Sequence, residues 1–329
     1  MANRVILHIG LMKSGTTFVQ GRLDANRDLL TAQGICFPGE TWTDQVWGIG
    51  EFFGFERALP PQPGAWPALI REINEHPGTA LISMEFLSPV VRPNIERFVA
   101  EFTNAEVRVV ATVRDLGRNV PAMWQESLKN RYTFTWPEYV EGVRDRQGAA
   151  GKHFWRQHAT ATILQRWSEY VSAVSLVTVP HGGGSEVLWD RFAQACGISP
   201  EPWRQGSFPN ASIGAIAAAY LLRLNQTSDS LTWPEYNLEV KNKLLRGPLT
   251  AYRAQDHSIG FTVEPWLLDK YHFQHGRLME LVANGMEVIG DLDELRPVDV
   301  AGIDPTQVTD SEIEHLGRFI EATQAGSPD

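Results

Sequence analysis

Gly10-Leu11-Met12-Lys13-Ser14-Gly15-Thr16-Thr17 carries the densest set of anion-holding groups in this 329-residue chain. It follows a short apolar run, Val5-Ile6-Leu7-His8-Ile9, that reads as a buried strand, and a helix is expected to open near Thr16 or Thr17. Between a strand and a helix start, successive backbone N–H groups converge on an anion, and the helix dipole adds positive potential. Gly15 lets the backbone approach a ligand closely. Lys13 supplies a point charge, and Ser14, Thr16 and Thr17 supply hydroxyl donors. The chemistry that these residues suit is the binding of a phosphate-like group.

The pattern is not a Walker A motif, which ends Gly-Lys-Ser/Thr. Here Gly15 is followed by Thr16, and Lys13 stands before the glycine. An ATP-dependent kinase or other phosphotransferase would therefore lack its lysine in the expected place. A solvated polar turn is the plain structural alternative.

Ile9 to Thr17 is similar to the 5′-phosphosulfate-binding loop of sulfotransferases, enzymes that use 3′-phosphoadenosine 5′-phosphosulfate (PAPS). A second segment, Val113-Arg114-Asp115-Leu116-Gly117-Arg118-Asn119-Val120-Pro121-Ala122-Met123-Trp124, resembles the 3′-phosphate-binding segment of that family. In the family an arginine at a strand end is followed by a helix. PAPS carries an extra phosphate on its ribose, and the resemblance assigns this group to Arg114, whose guanidinium offers a bidentate fork. An ion pair of Arg114 with Asp115 or another carboxylate is the alternative. The family's usual serine in this helix is replaced by Ala122; Arg118 or Asn119, about one turn earlier, are the residues placed to compensate, with Ser127, more than a turn later, the weaker candidate.

Weaker likenesses to bacterial members run through Trp124 to Arg131, Phe154 to His158, Pro209 to Ser212 and Ile289 to Leu292. The resemblance thus spans the chain as a single domain, 1–329. It implies a PAPS-dependent transferase with adenosine 3′,5′-bisphosphate (PAP) as product, no metal, and a small-molecule, carbohydrate or lipid acceptor. A non-catalytic nucleotide-binding module of the same fold is the other reading, and Ala122 is its best support.

By analogy with phosphoryl transfer, sulfuryl transfer asks of a protein mainly positioning and charge stabilisation around an in-line displacement. Lys13 is expected to neutralise the charge that develops on the leaving phosphate. Glu85, in Ile82-Ser83-Met84-Glu85-Phe86-Leu87-Ser88-Pro89, is the choice for the base. Strand ends on the carboxyl side of a parallel sheet face the ligand crevice, and the family places a histidine or glutamate at a comparable strand end. Met84, Phe86 and Leu87 are apolar neighbours of the kind that raise a carboxyl pKa toward neutral. A glutamate capping the next helix or paired with an arginine is the alternative. Among the histidines, His8 reads as a satisfied core group or one that supports the site residues from behind, and His181 either flanks the crevice or only begins a flexible glycine turn. His257, His272 and His275 fall in a helical region, from which they could face the acceptor. His153 and His158 lie five apart, off a common helical face, so no metal site is expected.

These residues need a frame, and the apolar runs supply one. Val107 to Val113 is the strongest strand, β-branched and apolar as the centre of a parallel sheet requires. Further strands at 35–37, 80–84, 174–179 and 288–289 alternate with helices at 16–33, 115–129, 135–147, 158–172 and 186–196. Such alternation needs crossover connections. The expected fold is a three-layer α/β architecture, a mostly parallel sheet flanked by helices with a P-loop-like phosphate-binding loop. Residues 200–285 read as a helical subregion covering one side. Residues 299–329 read as a C-terminal helix and tail, opened by a Thr309/Glu312 capping box. Residues 40–65 hold Trp42, Trp47, Phe52, Phe53 and Phe55 among glycines and prolines. They read as a loop over its own aromatics or a wall for the acceptor.

Composition narrows the partners. With 29 Lys and Arg against 39 Asp and Glu, the net charge of -10 argues against general binding to nucleic acid or anionic membranes. Cys36 and Cys196 form no metal spacing or disulfide framework, which suits a reducing compartment. No apolar run approaches the ~20 residues of a membrane span, and the first is too short for a signal peptide. The expectation is a soluble cytoplasmic protein.

Overall fold

The computed structural model describes residues 2–55, 62–102, 104–206, 212–228 and 230–325. The Pro209–Ala211 stretch and the last four residues of the tail lie outside them. Six strands form one sheet: β1 (Arg4–His8), β2 (Ile35–Cys36), β3 (Thr79–Ser83), β4 (Glu106–Val113), β5 (Ala173–Thr178) and β6 (Glu287–Ile289). Their order is β2-β3-β1-β4-β5-β6, and each ladder is parallel.

Around them lie α1 (Thr16–Ala25), α2 (Arg27–Ala32), α3 (Trp42–Phe53), α4 (Ala65–Glu75) and α5 (Arg92–Val99). Next come α6 (Leu116–Lys129), α7 (Trp136–Asp145), α8 (Gly148–His158), α9 (Thr160–Ser168) and α10 (Gly184–Cys196). The chain ends with α11 (Ala215–Thr227), α12 (Trp233–Tyr236), α13 (Pro248–Tyr252), α14 (Pro265–Ala283) and α15 (Asp310–Ala325). A nine-residue π-helix, Asn237–Leu245, follows α12.

The chain divides into two compact units. One comprises Met1–Asp115, Arg156–Pro209 and Asp269–Arg296, and the other Leu116–Trp155, Asn210–Leu268 and Pro297–Asp329.

In the first unit, strand alternation makes the layers. Successive strand side chains point to opposite faces. Val5 and Leu7 of β1, Ile82 of β3 and Val109 and Ala111 of β4 therefore share one core with Ile49 of α3, Leu69 of α4, Phe98 of α5 and Trp167 of α9. Ile6, Leu81, Val110 and Val177 share the other with Val19 and Leu23 of α1 and with Trp189 and Phe192 of α10. This is the α/β sandwich expected from the sequence.

Two local expectations are corrected. The aromatic stretch is a helix over Trp42–Phe53, not a loop. Thr41 and Asp44 form a capping box at its start, and Val46 and Ile49 face the core. The helix expected over 16–33 breaks at Asn26, whose side chain donates to the carbonyls of Arg22 and Arg204.

The second unit is helical. Asn225 of α11 donates to the Leu128 and Tyr132 carbonyls at 2.8 and 3.0 Å, and accepts from the Tyr236 hydroxyl at 2.7 Å, which ties off the end of α6. The expected capping box opens α15: Thr309 Oγ1 donates to Glu312 at 2.7 Å, and Ile313, Leu316 and Ile320 are buried.

Candidate functional site

β1 ends at His8, and the chain turns through Gly10–Gly15 into α1. Gly10, Lys13 and Gly15 take left-handed backbone, with φ of 91°, 61° and 83°. For Lys13 this is uncommon, because its Cβ crowds the backbone there. Strain of that kind concentrates at ligand sites. Left-handed residues interleaved with ordinary ones are the pattern that curls N–H groups into an anion-binding concavity. The helix that follows adds the N–H groups that any helix start has to spare.

The loop is held from beneath. Ile9 and Leu11 donate their N–H groups to the Val110 and Thr112 carbonyls at 3.0 and 2.6 Å, carrying the β1–β4 pairing past the strand end. Ser14 is fully buried. Its hydroxyl donates to the Leu11 carbonyl and lies 2.9 Å from Thr112 Oγ1, so it is turned to the loop's own interior. Lys13, Gly15 and Thr17 are half-buried, and Thr16 is buried.

Glu85 opens a short 3-10 turn two residues beyond β3. Its carboxylate accepts from the Gln20 side-chain amide at 2.8 Å. The turn touches the loop: a Cβ built on Gly10 would lie 2.8 Å from the Cβ of Glu85. Only glycine suits that position, for its positive φ and for this approach.

Arg114 is the first residue past β4. Its Nη1 donates to the Lys13 carbonyl at 3.4 Å, across the boundary between β1 and β4. From β1 the chain leaves toward β2 at one edge, and from β4 toward β5 on the other side. That boundary is the topological switch point at which open α/β sheets bind ligands.

The first unit therefore brings the loop Gly10–Thr17, Glu85 and Arg114 together at the carboxyl edge of β1, β3 and β4. Asp115 is buried there too, with its Oδ2 3.9 Å from His181 Nε2. Arg118 and Asn119 stand in the first turn of α6 and belong to the second unit, Arg118 half-buried and Asn119 buried. His272 and His275 both lie against the Tyr271 ring, and His257 Nε2 is 3.7 Å from Glu312.

Two supporting residues, Ser83 and Thr112, belong to no local motif and were not singled out in the sequence. Ser83 is gripped on three sides. Its N–H donates to Gln45, its carbonyl accepts from Trp42 Nε1 at 2.9 Å, and its hydroxyl contacts His8 at 2.7 Å. His8 reaches Thr112 on its other side at 3.2 Å. The available signal was position: His8, Ser83 and Thr112 are polar residues that each directly follow an apolar run, Val5–Leu7, Ala80–Ile82 and Val109–Ala111. His8 is fully buried, and desolvation holds its imidazole down to about 3.

Among the described residues no group of three His, Cys, Asp or Glu side chains is placed to share a metal ion, and no helix is long and apolar enough to cross a membrane. A groove of about 510 Å³ lined by Trp66, Ile70, Arg71 and Glu101 contains none of the residues above.

No family model and no curated protein matches the chain. Among solved structures, the crystal structure of a sulfotransferase from Alicyclobacillus acidocaldarius is similar at 14% identity and a TM-score of 0.42. The match covers 75% of this chain and 99% of that one.

Proposed function

We propose that the chain is a PAPS-dependent sulfotransferase that transfers a sulfuryl group to a hydroxyl of a small-molecule, carbohydrate or lipid acceptor and releases PAP. One observation carries the reading: the loop Gly10–Gly15 touches both Arg114, through the Lys13 carbonyl, and Glu85, through Gly10. A phosphate-type loop, a guanidinium and a carboxylate thereby meet at one sheet edge, as a doubly phosphorylated donor and a proton-bearing acceptor require.

The loop N–H groups and the hydroxyls of Thr16 and Thr17 would hold the 5′-phosphosulfate, with Ser14 bracing the loop from within. The donor group supplies the sulfuryl moiety and a phosphate leaving group. Lys13 offsets the negative charge that grows on the leaving oxygen. Arg114 holds the 3′-phosphate, and its planar fork distinguishes that group from the bare ribose hydroxyl of ATP. Arg118 and Asn119, nominated by their spacing after Arg114, are the residues to examine for the rest of that phosphate. Glu85 takes the proton of the acceptor hydroxyl as its oxygen attacks sulfur. Gln20 holds the carboxylate in place.

The test is PAP release from PAPS over a panel of phenol, sugar and lipid alcohols. Turnover that needs an acceptor and is abolished in Glu85→Gln supports the reading. Acceptor-dependent turnover that Glu85→Gln leaves intact removes Glu85 from the role.

A further inference from the structure

Three strands end side by side beneath the loop, and one imidazole touches the other two. His8 Nδ1 lies 2.7 Å from Ser83 Oγ on β3, and Nε2 lies 3.2 Å from Thr112 Oγ1 on β4. Thr112 Oγ1 lies 2.9 Å from Ser14 Oγ and 3.3 Å from the Gly10 carbonyl, and Ser14 reaches the Leu11 carbonyl. His8, Ser83, Ser14 and Thr112 all have no exposed surface.

Proton accounting gives this network a direction. A hydroxyl has a single proton to donate, and a neutral imidazole has a single N–H. Ser14 donates to the Leu11 carbonyl, so the contact between Ser14 and Thr112 is filled by the Thr112 proton. The competing acceptors for that proton are the Gly10 carbonyl at 3.3 Å and His8 Nε2 at 3.2 Å, and giving it to Nε2 would leave the shorter 2.9 Å contact between the Ser14 and Thr112 oxygens with no proton in it. Thr112 therefore donates into the loop and turns a lone pair to His8. Nε2 must then carry the ring proton, and Nδ1 must accept from Ser83.

We infer that His8 is a positioning residue for the loop, the middle link of a one-way hydrogen-bond chain that runs Ser83, His8 as the Nε2–H tautomer, Thr112, Ser14 and the Leu11 carbonyl. Buried hydrogen bonds aligned in series polarise one another, and leaving one unmade strands the next. The chain thus links the end of β3, which leads to Glu85, with β4, which leads to Arg114, and with the loop between them. Its consequence for ligand binding rests on the sulfotransferase reading. The tautomer does not.

A long-range proton–nitrogen correlation spectrum of the full chain reads the tautomer, with the His8 signal identified by its loss in His8→Phe. The expected pattern is a protonated Nε2 and a bare Nδ1, unchanged between about pH 5 and 8. A protonated Nδ1 or a charged ring overturns the inference.

Calorimetry with PAP reads the consequence. Thr112→Val keeps the side-chain shape and removes the hydroxyl. It should weaken PAP binding roughly tenfold or more, and Thr112→Ser should stay within about threefold of wild type. If Thr112→Val does not fold, Ser14→Ala cuts the last link and is read in the same way. Unchanged affinity in the variant measured overturns the positioning role. If the wild type binds no PAP, the sulfotransferase reading fails, while the tautomer still decides the hydrogen-bond chain.

Discussion

The Gln20 side-chain amide donates to the Glu85 carboxylate at 2.8 Å, across 65 residues of sequence. Gln20 also reaches the Ser83 carbonyl at 3.4 Å and is almost fully buried. It sits on α1, the helix that the anion-type loop opens, so the element that would bind the donor also holds the carboxylate that would serve the acceptor.

Glu85→Gln should lower turnover roughly a hundredfold or more, the usual worth of a general base, and leave PAP affinity within about twofold. Gln20→Met removes the donor and keeps the bulk, and it should lower turnover about tenfold through misplacement of the carboxylate. PAP release from PAPS measures both. Turnover near wild type in Gln20→Met would show that Glu85 needs no such anchor.

Gly10→Ala adds a Cβ 2.8 Å from the Cβ of Glu85, at a φ of 91° that alanine disfavours. The substitution should cost about 1–3 kcal/mol of stability. It should also reduce turnover, because relief of the clash moves Glu85. Urea unfolding gives the first quantity. A fully stable Gly10→Ala protein would show that the loop and the Glu85 turn are not in contact.

How much of this was legible from residues alone follows physical lines. β1 and β4 were readable because a strand buried on both faces is a continuous apolar run. The turn between β1 and α1 was readable because glycine and hydroxyl residues interrupt the apolar run before a helix start. Trp42–Phe53 was misread because Gly48 and Gly50 dilute the helical signal, whereas Gly54 is the left-handed cap that ends the helix. The capping pair Thr41 and Asp44 was the cue that outweighs them. The Arg22–Glu186 pair joins residues 164 apart, a separation that no local spacing rule reaches. Ser14 looked like a ligand hydroxyl, and only its burial against Thr112 shows it bracing the loop.

His8 carries a pH dependence of definite sign. Its folded pKa is about 3 against an ordinary 6.5, so between those values the unfolded chain holds a proton that the folded chain lacks. The stability contribution is complete above 6.5 and is lost as pH falls toward 3, at up to about 1.4 kcal/mol per pH unit. Unfolding free energies taken from about pH 7 to 5 should fall less steeply in His8→Phe than in wild type. Parallel curves would mean that His8 does not remain neutral in the folded protein.

Arg22 is 1% exposed, makes two 2.6 Å hydrogen bonds to the Glu186 carboxylate, and lies over the Phe18 and Trp189 rings. Glu186→Ala strands a buried guanidinium. Because Glu186 is itself 58% exposed and screened by water, the expected cost is about 1–3 kcal/mol rather than that of a fully buried pair. The Arg22 hydrogen bond holds the Glu186 carboxyl below its usual range, so the contribution is present above that range and fades in acid. The variant should therefore lose less at about pH 4 than at about pH 7, as read by urea unfolding.

Calorimetric titration with PAP, beside ATP with Mg²⁺, asks most directly whether the sheet edge is a PAPS site. The prediction is micromolar binding of PAP, about -8 kcal/mol, at least roughly tenfold tighter than ATP. Lys13→Ala and Arg114→Ala should each weaken it. Preferential binding of ATP, or binding of neither nucleotide, would contradict the assignment of this site to a sulfuryl donor.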